Sequence, residues 1–441
     1  MRRISQTLSG ENLKTLQQTL EQQDAQSGWQ VYPCKLVTPM YGGGVKAGEV
    51  DTEMPIRASS IRGQLRFWWR IACGPFASTQ EMFKRETEIW GGIGDTGATA
   101  SKVEVRVDSI NPLTLSPAFK YVDDPKHPGK KRGMPKVEDW AQGYALFAAQ
   151  GKISQDKTTI EKEPNQLARE GVSFNLHIRF AEKLSSEQCA EVETALRWWA
   201  SFGGLGARTR RGLGAVFISS LTPVTVTEVS DKQGILKLKP AKDEKTAWKN
   251  AVNALREFRQ GSELGRNIAA KDSRSPAGRS RWPEADTLRE LSECAHHEHK
   301  DRIVSGKWFP RAAFGLPIVF HFQGAPKYRD PNKDPIDHIL EPASGSENMP
   351  RDRMASPLIL RPYWSGVAWQ SAALLLPDWQ SALTVGLKFK GQSYKEKLQL
   401  WPLNESSRKH ASYAIKPMNR RDELRALDPL SAFMQFFVEG N

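Results

Sequence analysis

The sequence predicts an α+β protein with two domains. Segments that alternate apolar and polar residues, as strands do, are interspersed with segments of helical periodicity. The 441 residues are enough for about two or three domains. A Lys-rich stretch that contains two prolines, residues 222–245, separates two groups of such segments. We therefore expect a polar N-terminal tail at 1–28, a first domain at 29–225 and a second domain at 226–441.

The first domain alternates strands and helices in a definite order. The tail before it is Gln-rich, which is typical of a frayed helix or a loose end. Strands are predicted at 29–38, 102–110, 172–180 and 215–221, and helices at 59–72, 80–90 and 186–202, the last beginning at a Ser cap. Residues 120–165, rich in Lys, Pro and Gly, are expected to form a long loop or insertion with a short helical pattern at 137–149. The order β-α-β-β-α-β, with two helices on one face of a sheet, is that of a ferredoxin-like fold.

The second domain has fewer clear signals. A helix is predicted at 246–260, where the apolar residues share one face, and a closing helix at 429–438. Strands are predicted at 314–322, 356–361 and 368–376. Residues 262–310 are polar and basic, with little periodicity. These elements fit a second α+β domain of similar size.

The charge balance indicates an anionic partner. Lys and Arg number 63 against 50 Asp and Glu, a net charge of +13, which suits nucleic acid, an anionic membrane surface or an acidic protein. No stretch approaches 18 uninterrupted apolar residues, and the N-terminus lacks the apolar segment of a signal peptide. The four cysteines are far apart and form no CxxC pair. We expect a cytoplasmic chain with reduced thiols, no cofactor and nucleic acid as its partner.

The first motif is the segment IRASSIRGQLRFWWR, residues 56–70. On a helix its apolar positions fall in one narrow arc that must face the core. Unpaired arginines next to that arc and beside Trp69 would suit phosphate pairing and base stacking, and Ser59 or Ser60 would cap a helix start that favours phosphate. The alternative is a solvated face whose arginines pair with acidic residues elsewhere. The segment has no acidic residue, and its arginines are Arg57, Arg62, Arg66 and Arg70.

The second motif is the segment FGGLGARTRRGLG, residues 202–214, with five glycines, three arginines and no acidic residue. Glycine lets the backbone approach a ligand closely. The arginines, Arg208, Arg210 and Arg211, offer bidentate contacts to phosphate. The segment does not match the P-loop pattern. The alternative is a flexible surface loop. This alternative is disfavoured, because three arginines without neutralising acidic residues would not stabilise such a loop.

The other candidate sites are weaker. The cluster CAHHEH at 294–299 matches no zinc-site spacing and is interpreted as incidental; its histidines are His296, His297 and His299. Basic patches at 126–136, 266–281 and 408–421 would extend a basic track. No GxSxG nucleophile elbow occurs, and neither arginine motif contains a histidine or a carboxylate. We therefore expect neither a catalytic residue nor a bound metal.

Both arginine motifs resemble those of a known family. IRASSIRGQLRFWWR is similar to the first-helix motif of the RAMP superfamily of CRISPR proteins, and FGGLGARTRRGLG is similar to that superfamily's Gly-rich loop after the second helix. Within the superfamily, the resemblance is to subunit one of the type III-B Cmr effector complex. Three weaker stretches agree in order, TPMYGGG, EIWGG…ASKVEVRV and GLPIVF…DRMASPLILRP, so the resemblance spans residues 30–375. The tail and the segments 120–165 and 262–310 match nothing.

The resemblance implies two ferredoxin-like (RRM-like) domains in a non-catalytic RNA-binding subunit of an RNA-guided complex for antiviral defence. It implies a position that caps the complex near the 3′ part of the guide RNA (crRNA) and its paired target RNA. Other Cmr subunits, namely the repeated backbone RAMP subunit and the other capping RAMP subunit, would be its protein partners. With about six phosphate contacts, the affinity for single strands should fall with a log–log salt slope of about −4. Carried over by position, the RNA contacts are Arg57, Arg62, Arg66, Gly204, Gly206, Arg208, Arg210 and Arg211, and Arg70 belongs to the helical stripe alone.

Two other functions stay open on the sequence. One is a RAMP-type endoribonuclease that processes guide-RNA precursors, in which Tyr32 or Tyr41 with Lys46 would stand in for the histidine that both motifs lack. The other is a basic module that binds acidic proteins and no RNA. Charge reversal at Arg62 and Arg66 distinguishes an RNA-binding subunit from this last module, because in the RNA-binding subunit it should abolish RNA binding while leaving assembly intact.

Overall fold

The computed structural model describes residues 28–441 except 95–96, 182–183, 267–277, 303, 323, 325, 344–351, 420–424 and 441, together with residues 11, 14, 15, 18 and 19. The predicted tail therefore lies almost entirely outside the described residues. The chain divides into two compact units. Each is assembled from three segments, whereas the sequence predicts one boundary at residues 225 and 226. The first unit comprises Met1–Pro117, Gln166–Ala207 and Gly214–Pro223, and the second comprises Ala118–Asn165, Arg208–Leu213 and Val224–Asn441.

Strands and helices, numbered here along the described chain, occur in both units. The strands are β1 (Gln30–Leu36), β2 (Gly92–Gly94), β3 (Gly97–Thr99), β4 (Val103–Asn111), β5 (Leu115–Pro117), β6 (Phe119–Lys120), β7 (Lys136–Val137), β8 (Lys152–Ile153), β9 (Ile160–Lys162), β10 (Gln166–Ala168), β11 (Ser173–Phe180), β12 (Val216–Phe217), β13 (Ile235–Pro240), β14 (Ile318–Phe320), β15 (His338–Pro342), β16 (Leu358–Trp364), β17 (Trp369–Leu375) and β18 (Leu387–Phe389). The helices are α1 (Ala58–Ala72), α2 (Thr79–Trp90), α3 (Gly143–Leu146), α4 (Ser186–Phe202), α5 (Val226–Asp231), α6 (Glu244–Gln260), α7 (Glu284–Ser292), α8 (Glu405–Ala414) and α9 (Pro429–Glu439). Among these, none is both long and apolar enough to cross a membrane.

The first unit is built on an antiparallel sheet of four strands in the order β12-β1-β11-β4. The register sets Gln30 of β1 opposite Ile178 of β11, and Phe180 of β11 opposite Val103 of β4. Because side chains alternate across a strand, one face of the sheet is apolar, and helices α1 and α4 contact its strands β4 and β12. The buried residues of that face include Cys34, Leu36, Phe174, Leu176 and Ile178.

Aromatic side chains join the two helices of the first unit. The ring of Trp68 in α1 lies 6.3 Å from that of Trp198 in α4 and 6.1 Å from that of Phe202, measured between centroids. All three rings are buried, and such contacts add to the free energy of burying their apolar area. Helix α4 begins at a capping box in which the Ser185 and Gln188 side chains bind each other's main-chain N–H groups. The cap predicted from the sequence is therefore confirmed.

The second unit contains two three-stranded sheets, in the orders β13-β17-β16 and β14-β15-β18. Helices α6 and α9 contact each other and strands of the first of these sheets. They meet through Phe258 and Phe433, whose ring centroids are 5.6 Å apart. Helix α6 is capped by the side chain of Asp243, and α9 by that of Asp428, with Pro429 at its first position.

The α+β class is confirmed, as are the long helices and most strands predicted from periodicity. The strand predicted at 215–221 is present only as Val216–Phe217, and that predicted at 314–322 only as Ile318–Phe320. The segment 120–165, expected to be a long loop, contains β6 to β9 and α3, and 222–245 contains α5 and β13. Residues 262–310 contain α7. Strands of two or three residues are too short to show a period of two, which explains why they were missed.

Candidate nucleic-acid interface

The four arginines of the first motif do not share one environment. All lie on α1 or at its N-cap, as the helical periodicity predicts. Arg66 and Arg70 face α2, where their guanidinium groups bind one carboxylate, that of Glu86. Arg57 donates to the main-chain oxygen of Gly43. These three arginines are thus engaged within the first unit, and the expectation that the arginines of this motif are unpaired is wrong for them.

Glu86 is the carboxylate that Arg66 and Arg70 share as an ion-pair partner. Its side chain is only 1% exposed, and it accepts hydrogen bonds from Arg66 Nε at 2.6 Å and from Arg70 Nε and Nη2 at 2.8 and 2.6 Å. Burial alone would raise the pKa of Glu86, but the hydrogen bonds from Arg70 and Arg66 outweigh burial and hold its pKa below the ordinary value. The cluster is therefore an ionised structural bridge between α1 and α2.

The start of α1 differs from the prediction. The sequence favours Ser59 or Ser60 as its cap, but the N-cap residue is Arg57, and no side chain caps the helix. The correction has a simple cause: the helix begins one residue earlier than predicted, so Ser59 already lies in its first turn, where a hydroxyl cannot reach the N–H groups that a cap satisfies. Among the residues that the structure describes, no side chain accepts a hydrogen bond from the first-turn N–H groups of α1.

Arg62 stands apart from the other arginines of the motif. It is exposed and forms no ion pair or hydrogen bond with any described residue of the chain. A cavity of about 490 Å³ opens beside it, lined also by Trp29, by Ser59 in the first turn of α1 and by Glu104 of β4. Within the first unit, Arg62 is thus a guanidinium available to an anion next to an aromatic ring.

Trp29 was not identified from the sequence as a functional residue. Two guanidinium groups lie over its ring, Arg106 at 5.1 Å and Arg179 at 4.7 Å from the centroid. These arginines are also paired with carboxylates, Arg179 with Glu104 at 2.6 Å and Arg106 with Asp108 at 3.8 Å. The signal was present in the strands, since Arg106 and Arg179 occupy polar positions of the alternating segments KVEVRVDSI and VSFNLHIRF. Trp29, Arg62, Arg106 and Arg179 are called the Trp29 surface below.

The glycines of the second motif are required by close backbone contacts. Gly206 has a φ of +78°, and a Cβ atom there would lie 2.6 Å from the main-chain oxygen of Tyr41. Gly204 pairs with Ala215 in an isolated bridge, and Ala207 pairs with Tyr41. This part of the loop, in the first unit, is thus bound to its neighbours by main-chain hydrogen bonds, so it is an ordered turn and the alternative of a flexible surface loop is wrong here.

The arginines of the second motif lie in the second unit. Arg208 has a left-handed backbone and donates to the main-chain oxygen of Ala145 at 3.1 Å. Arg210 donates to the oxygen of Ser356. Arg211 donates to the oxygens of Leu358, at 3.2 Å, and Phe314, at 3.0 Å. All three guanidinium groups therefore bind backbone carbonyls of their own unit.

Burial changes the acidity of two of these groups. It lowers the pKa of Arg210 and lowers that of Arg211 to about 10, so both remain charged at neutral pH. The main-chain oxygen of Arg211 also accepts from Trp248 Nε1 at 2.8 Å. The arginines thus act as structural donors in the fold of the second unit. Whether they also contact RNA stays a prediction, as it does for each of the nine residues named from the sequence.

The histidine cluster at 294–299 is built into the second unit. His297 and His299 belong to a short 3₁₀ turn, and His299 Nδ1 lies 2.8 Å from Asp334 Oδ2. Asp334 also accepts from Arg289 Nε at 2.8 Å. In the described parts of the chain, no group of three or more His, Cys, Asp or Glu side chains could hold a metal ion.

Comparison with solved structures finds remote likenesses only. The apo crystal structure of Cmr1 from Pyrococcus furiosus is 14% identical, with 93% of this chain and 97% of that chain covered and a TM-score of 0.39. A chain of the type III-B Cmr-beta complex bound to cognate target RNA is 10% identical over 82% of this chain and 96% of that one, with a TM-score of 0.38. A chain of a type IV-B CRISPR complex is 14% identical over 45% and 93%, with a TM-score of 0.26. Since these TM-scores are below 0.5, the likenesses do not establish a shared fold.

Comparison of the sequence with protein families finds one match. No curated protein matches the sequence. The RAMP superfamily matches residues 33–216, which contain both arginine motifs and all of the four-stranded sheet except the start of β1 and the last residue of β12. The match agrees with the resemblance to the RAMP superfamily that the two arginine motifs predict, and it extends over residues 33–216 of the chain.

Proposed function

We propose that the chain is a non-catalytic RNA-binding subunit of a type III-B (Cmr) RNA-guided CRISPR effector complex, which acts in antiviral defence. It would cap the complex near the 3′ part of the guide RNA and its paired target RNA, next to other Cmr subunits in the cytoplasm. The observation that carries the proposal is the Trp29 surface, where an aromatic ring and an arginine with no partner among the described residues line one cavity. Aromatic rings and arginines on a sheet are what RRM-type modules use for RNA.

We propose further that both units are ferredoxin-like domains. In the first unit, β1, α1, β4, β11, α4 and β12 follow the order β-α-β-β-α-β, and α2 is an additional helix between α1 and β4. In the second, β13, α6, β16, β17 and α9 follow the order β-α-β-β-α, and β13-β17-β16 have the same neighbours as β1-β11-β4. The sheet β13-β17-β16 has no counterpart of β12 among the described residues. The shared strand order supports a duplicated domain.

The Trp29 surface would hold RNA by its backbone and by the stacking of its bases. Arg62 would pair with a phosphate beside the uncapped first turn of α1, whose N–H groups favour negative charge. Trp29 would stack on a base while Arg106 and Arg179 keep its ring in place. Such contacts read no sequence, which suits a complex whose guide RNA selects the target by base pairing.

The placement of the residues that could catalyse cleavage does not favour the endoribonuclease hypothesis. His177 is the histidine of the first unit; it is 7% exposed and lies 2.8 Å from Asp108. The Tyr32 hydroxyl donates to Gln30 at 2.6 Å, and burial raises the pKa of Tyr32, which makes it a poor base at neutral pH. Lys46 is exposed, with its charge 3.9 Å from Glu49. These placements support a binding role.

The test compares two single variants that each remove one exposed cation from the first unit. Arg62→Ala removes the guanidinium beside Trp29, and Lys84→Ala removes an exposed cation of α2. Affinity for a labelled single-stranded RNA of about 40 nucleotides is measured by fluorescence anisotropy. We expect Arg62→Ala to weaken binding about tenfold or more, since a hydrogen bond to a charged group contributes about 1.5–3 kcal/mol, and Lys84→Ala to change it less than twofold.

Two further readouts address the alternatives. The same mixtures, with and without Mg²⁺, are run on a denaturing gel, where intact RNA is expected and discrete cleavage would support the endoribonuclease. If the wild-type chain binds an acidic protein partner but no RNA, alone or in the assembled complex, the proposed function is wrong. If the Arg62→Ala variant and the wild type bind RNA with equal affinity, the Trp29 surface is not the RNA-binding site of the proposed function.

A further inference from the structure

Residues 119–137, most of which belong to the segment 120–165 outside the family resemblance, form an ordered hairpin with an unusual charge pattern. Strands β6 and β7 pair so that Lys120 lies directly opposite Lys136. Directly opposite side chains of an antiparallel pair have Cβ atoms about 4.5–5.5 Å apart, and like charges there destabilise the pairing. Both lysines are exposed and have no ion-pair partner among the described residues. The residues 119–137 are called the lysine hairpin below.

The rest of the lysine hairpin adds to this charge. Lys126, Lys130 and Arg132 are exposed. No described carboxylate forms an ion pair with Lys126 or Lys130, and the charge of Arg132 interacts with Asp124. The two acidic residues of the hairpin are already engaged, because Asp123 binds Lys131 at 2.7 Å and Asp124 binds His127 at 2.8 Å. Four cations of one short hairpin therefore lack an ion-pair partner within the described chain: Lys120, Lys126, Lys130 and Lys136.

A second hairpin of the same unit shows how such a pair is otherwise compensated. In β8 and β9, Lys152 lies opposite Lys162, again a pair of like charges. There, however, Lys152 Nζ lies 2.5 Å from Glu161 Oε2. The two hairpins join where the main-chain N–H of Lys131 donates to the oxygen of Lys157 at 2.8 Å. The Lys120–Lys136 pair is the one that has no such carboxylate among the described residues.

We propose that the lysine hairpin is a second RNA-binding site, which holds the phosphate backbone through Lys120 and Lys136. A phosphate between two ammonium groups would remove the repulsion that the pair carries when unbound. RNA is favoured over other polyanions because the hairpin lies within residues 33–216, which match the RAMP superfamily, and the resemblance to that superfamily implies RNA binding. In this respect the inference rests on the proposed function. The contact is to phosphate alone, so it is independent of sequence.

The test neutralises each lysine pair in the full-length protein. One variant is Lys120→Gln with Lys136→Gln, and the matched control is Lys152→Gln with Lys162→Gln, which removes the same charge from the compensated hairpin. Affinity for the 40-nucleotide RNA is measured at several salt concentrations, and Tm is measured without RNA. For the first variant we expect affinity to fall about fivefold or more and the salt slope to lose about 0.7 units, the value for the one single-strand phosphate that the two lysines share. We expect Tm to stay equal or rise.

The change in Tm separates binding from structure. A structural role for these lysines would lower Tm together with affinity, whereas relief of repulsion raises or preserves it. The inference is overturned if Tm falls, if affinity equals that of the wild type, or if the control loses affinity equally. It is also overturned if the first variant loses binding to poly-glutamate but not to RNA, a result that would assign an acidic protein partner.

A third series distinguishes this inference from the proposed function. The lysine substitutions are repeated in the Arg62→Ala background, where an independent site predicts the same fold loss as in the wild type. If Arg62→Ala weakens RNA binding but the lysine variant does not, only the inference fails. If the wild-type protein binds no RNA, alone or assembled, both fail.

Discussion

Replacement of Glu86 by glutamine tests the bridge between α1 and α2. The carboxylate is 1% exposed and accepts three hydrogen bonds from two guanidinium groups. An amide of the same size keeps one acceptor oxygen and turns an N–H₂ group toward the donors. Hydrogen bonds to charged groups contribute about 1.5–3 kcal/mol each, but the partly exposed Arg66 and Arg70 regain water. We therefore expect Glu86→Gln to lower the free energy of opening of α1 and α2 by about 2–4 kcal/mol at pH 7.

Native-state hydrogen exchange of the α1 and α2 amides measures this loss locally. The control is Glu88→Gln, which removes a carboxylate of α2 that forms no bond with another described residue; we expect it to change the free energy by less than about 0.5 kcal/mol. A loss of that small size in Glu86→Gln itself would contradict the structural role assigned to the bridge.

The effect of Glu86 depends on pH in a defined direction. Its pKa in the folded state is below the ordinary value of 4.5. The ionised bridge therefore contributes its full stability above about pH 4.5, and the contribution is lost as pH falls through the folded-state pKa. The difference between wild type and Glu86→Gln should shrink below pH 4.5. A difference that is the same at acid and neutral pH would refute the assignment of an ionised Glu86.

The same variant tests whether Arg66 and Arg70 belong to the RNA interface. If they do, releasing them from Glu86 should strengthen RNA binding severalfold and steepen its salt dependence, although the unit is less stable. Unchanged affinity in the Glu86→Gln variant would remove both arginines from the interface and leave Arg62 as its contact on α1.

Three further substitutions probe the local structure of the motifs. Gly206→Ala should cost about 1–3 kcal/mol, because its positive φ and the oxygen of Tyr41 leave no room for a Cβ atom; denaturant titration measures the loss, and Gly63→Ala, where the added atom meets open space, should not destabilise. Ser185→Ala should cost about 1 kcal/mol through loss of the α4 cap, seen as faster exchange of its first amides. Arg211→Lys should cost about 1–3 kcal/mol, since one ammonium cannot replace a guanidinium that binds two separate carbonyls; an unchanged urea midpoint would contradict this.

The long elements could be predicted from the sequence because their cores are periodic. The arc that buries Ile61, Leu65 and Trp68 follows directly from a helical repeat of 3.6 residues, and the strands with alternating residues are where they were expected. The register of the sheet and the short hairpins could not be predicted in this way. Their residues are paired by contacts between distant segments, such as Ser173 with Asn111, which leave no local pattern.

The partners of the first-motif arginines were not predictable for the same reason. Arg66 and Glu86 are 20 residues apart and meet only because α2 returns alongside α1. The motif itself has no acidic residue, so counting charges within it indicates an unpaired stripe. A search for buried acidic positions in the neighbouring helix would have found the signal, since Glu86 falls among the apolar positions of α2, near Ile89 and Trp90.

The second motif shows a more general limit of charge counting. Its three arginines have no acidic neighbours, and a structural use for them was discounted on that ground. Yet Arg210 and Arg211 bind main-chain oxygens, an acceptor that every residue carries and that no sequence pattern marks. An excess of arginine over acidic residues therefore does not by itself indicate a surface for anions. The cations that can contribute to such a surface are those with neither a carboxylate nor a carbonyl partner and with access to solvent. Arg62 and the Lys120–Lys136 pair meet that criterion among the described residues, and this is why the proposed RNA contacts are placed on them.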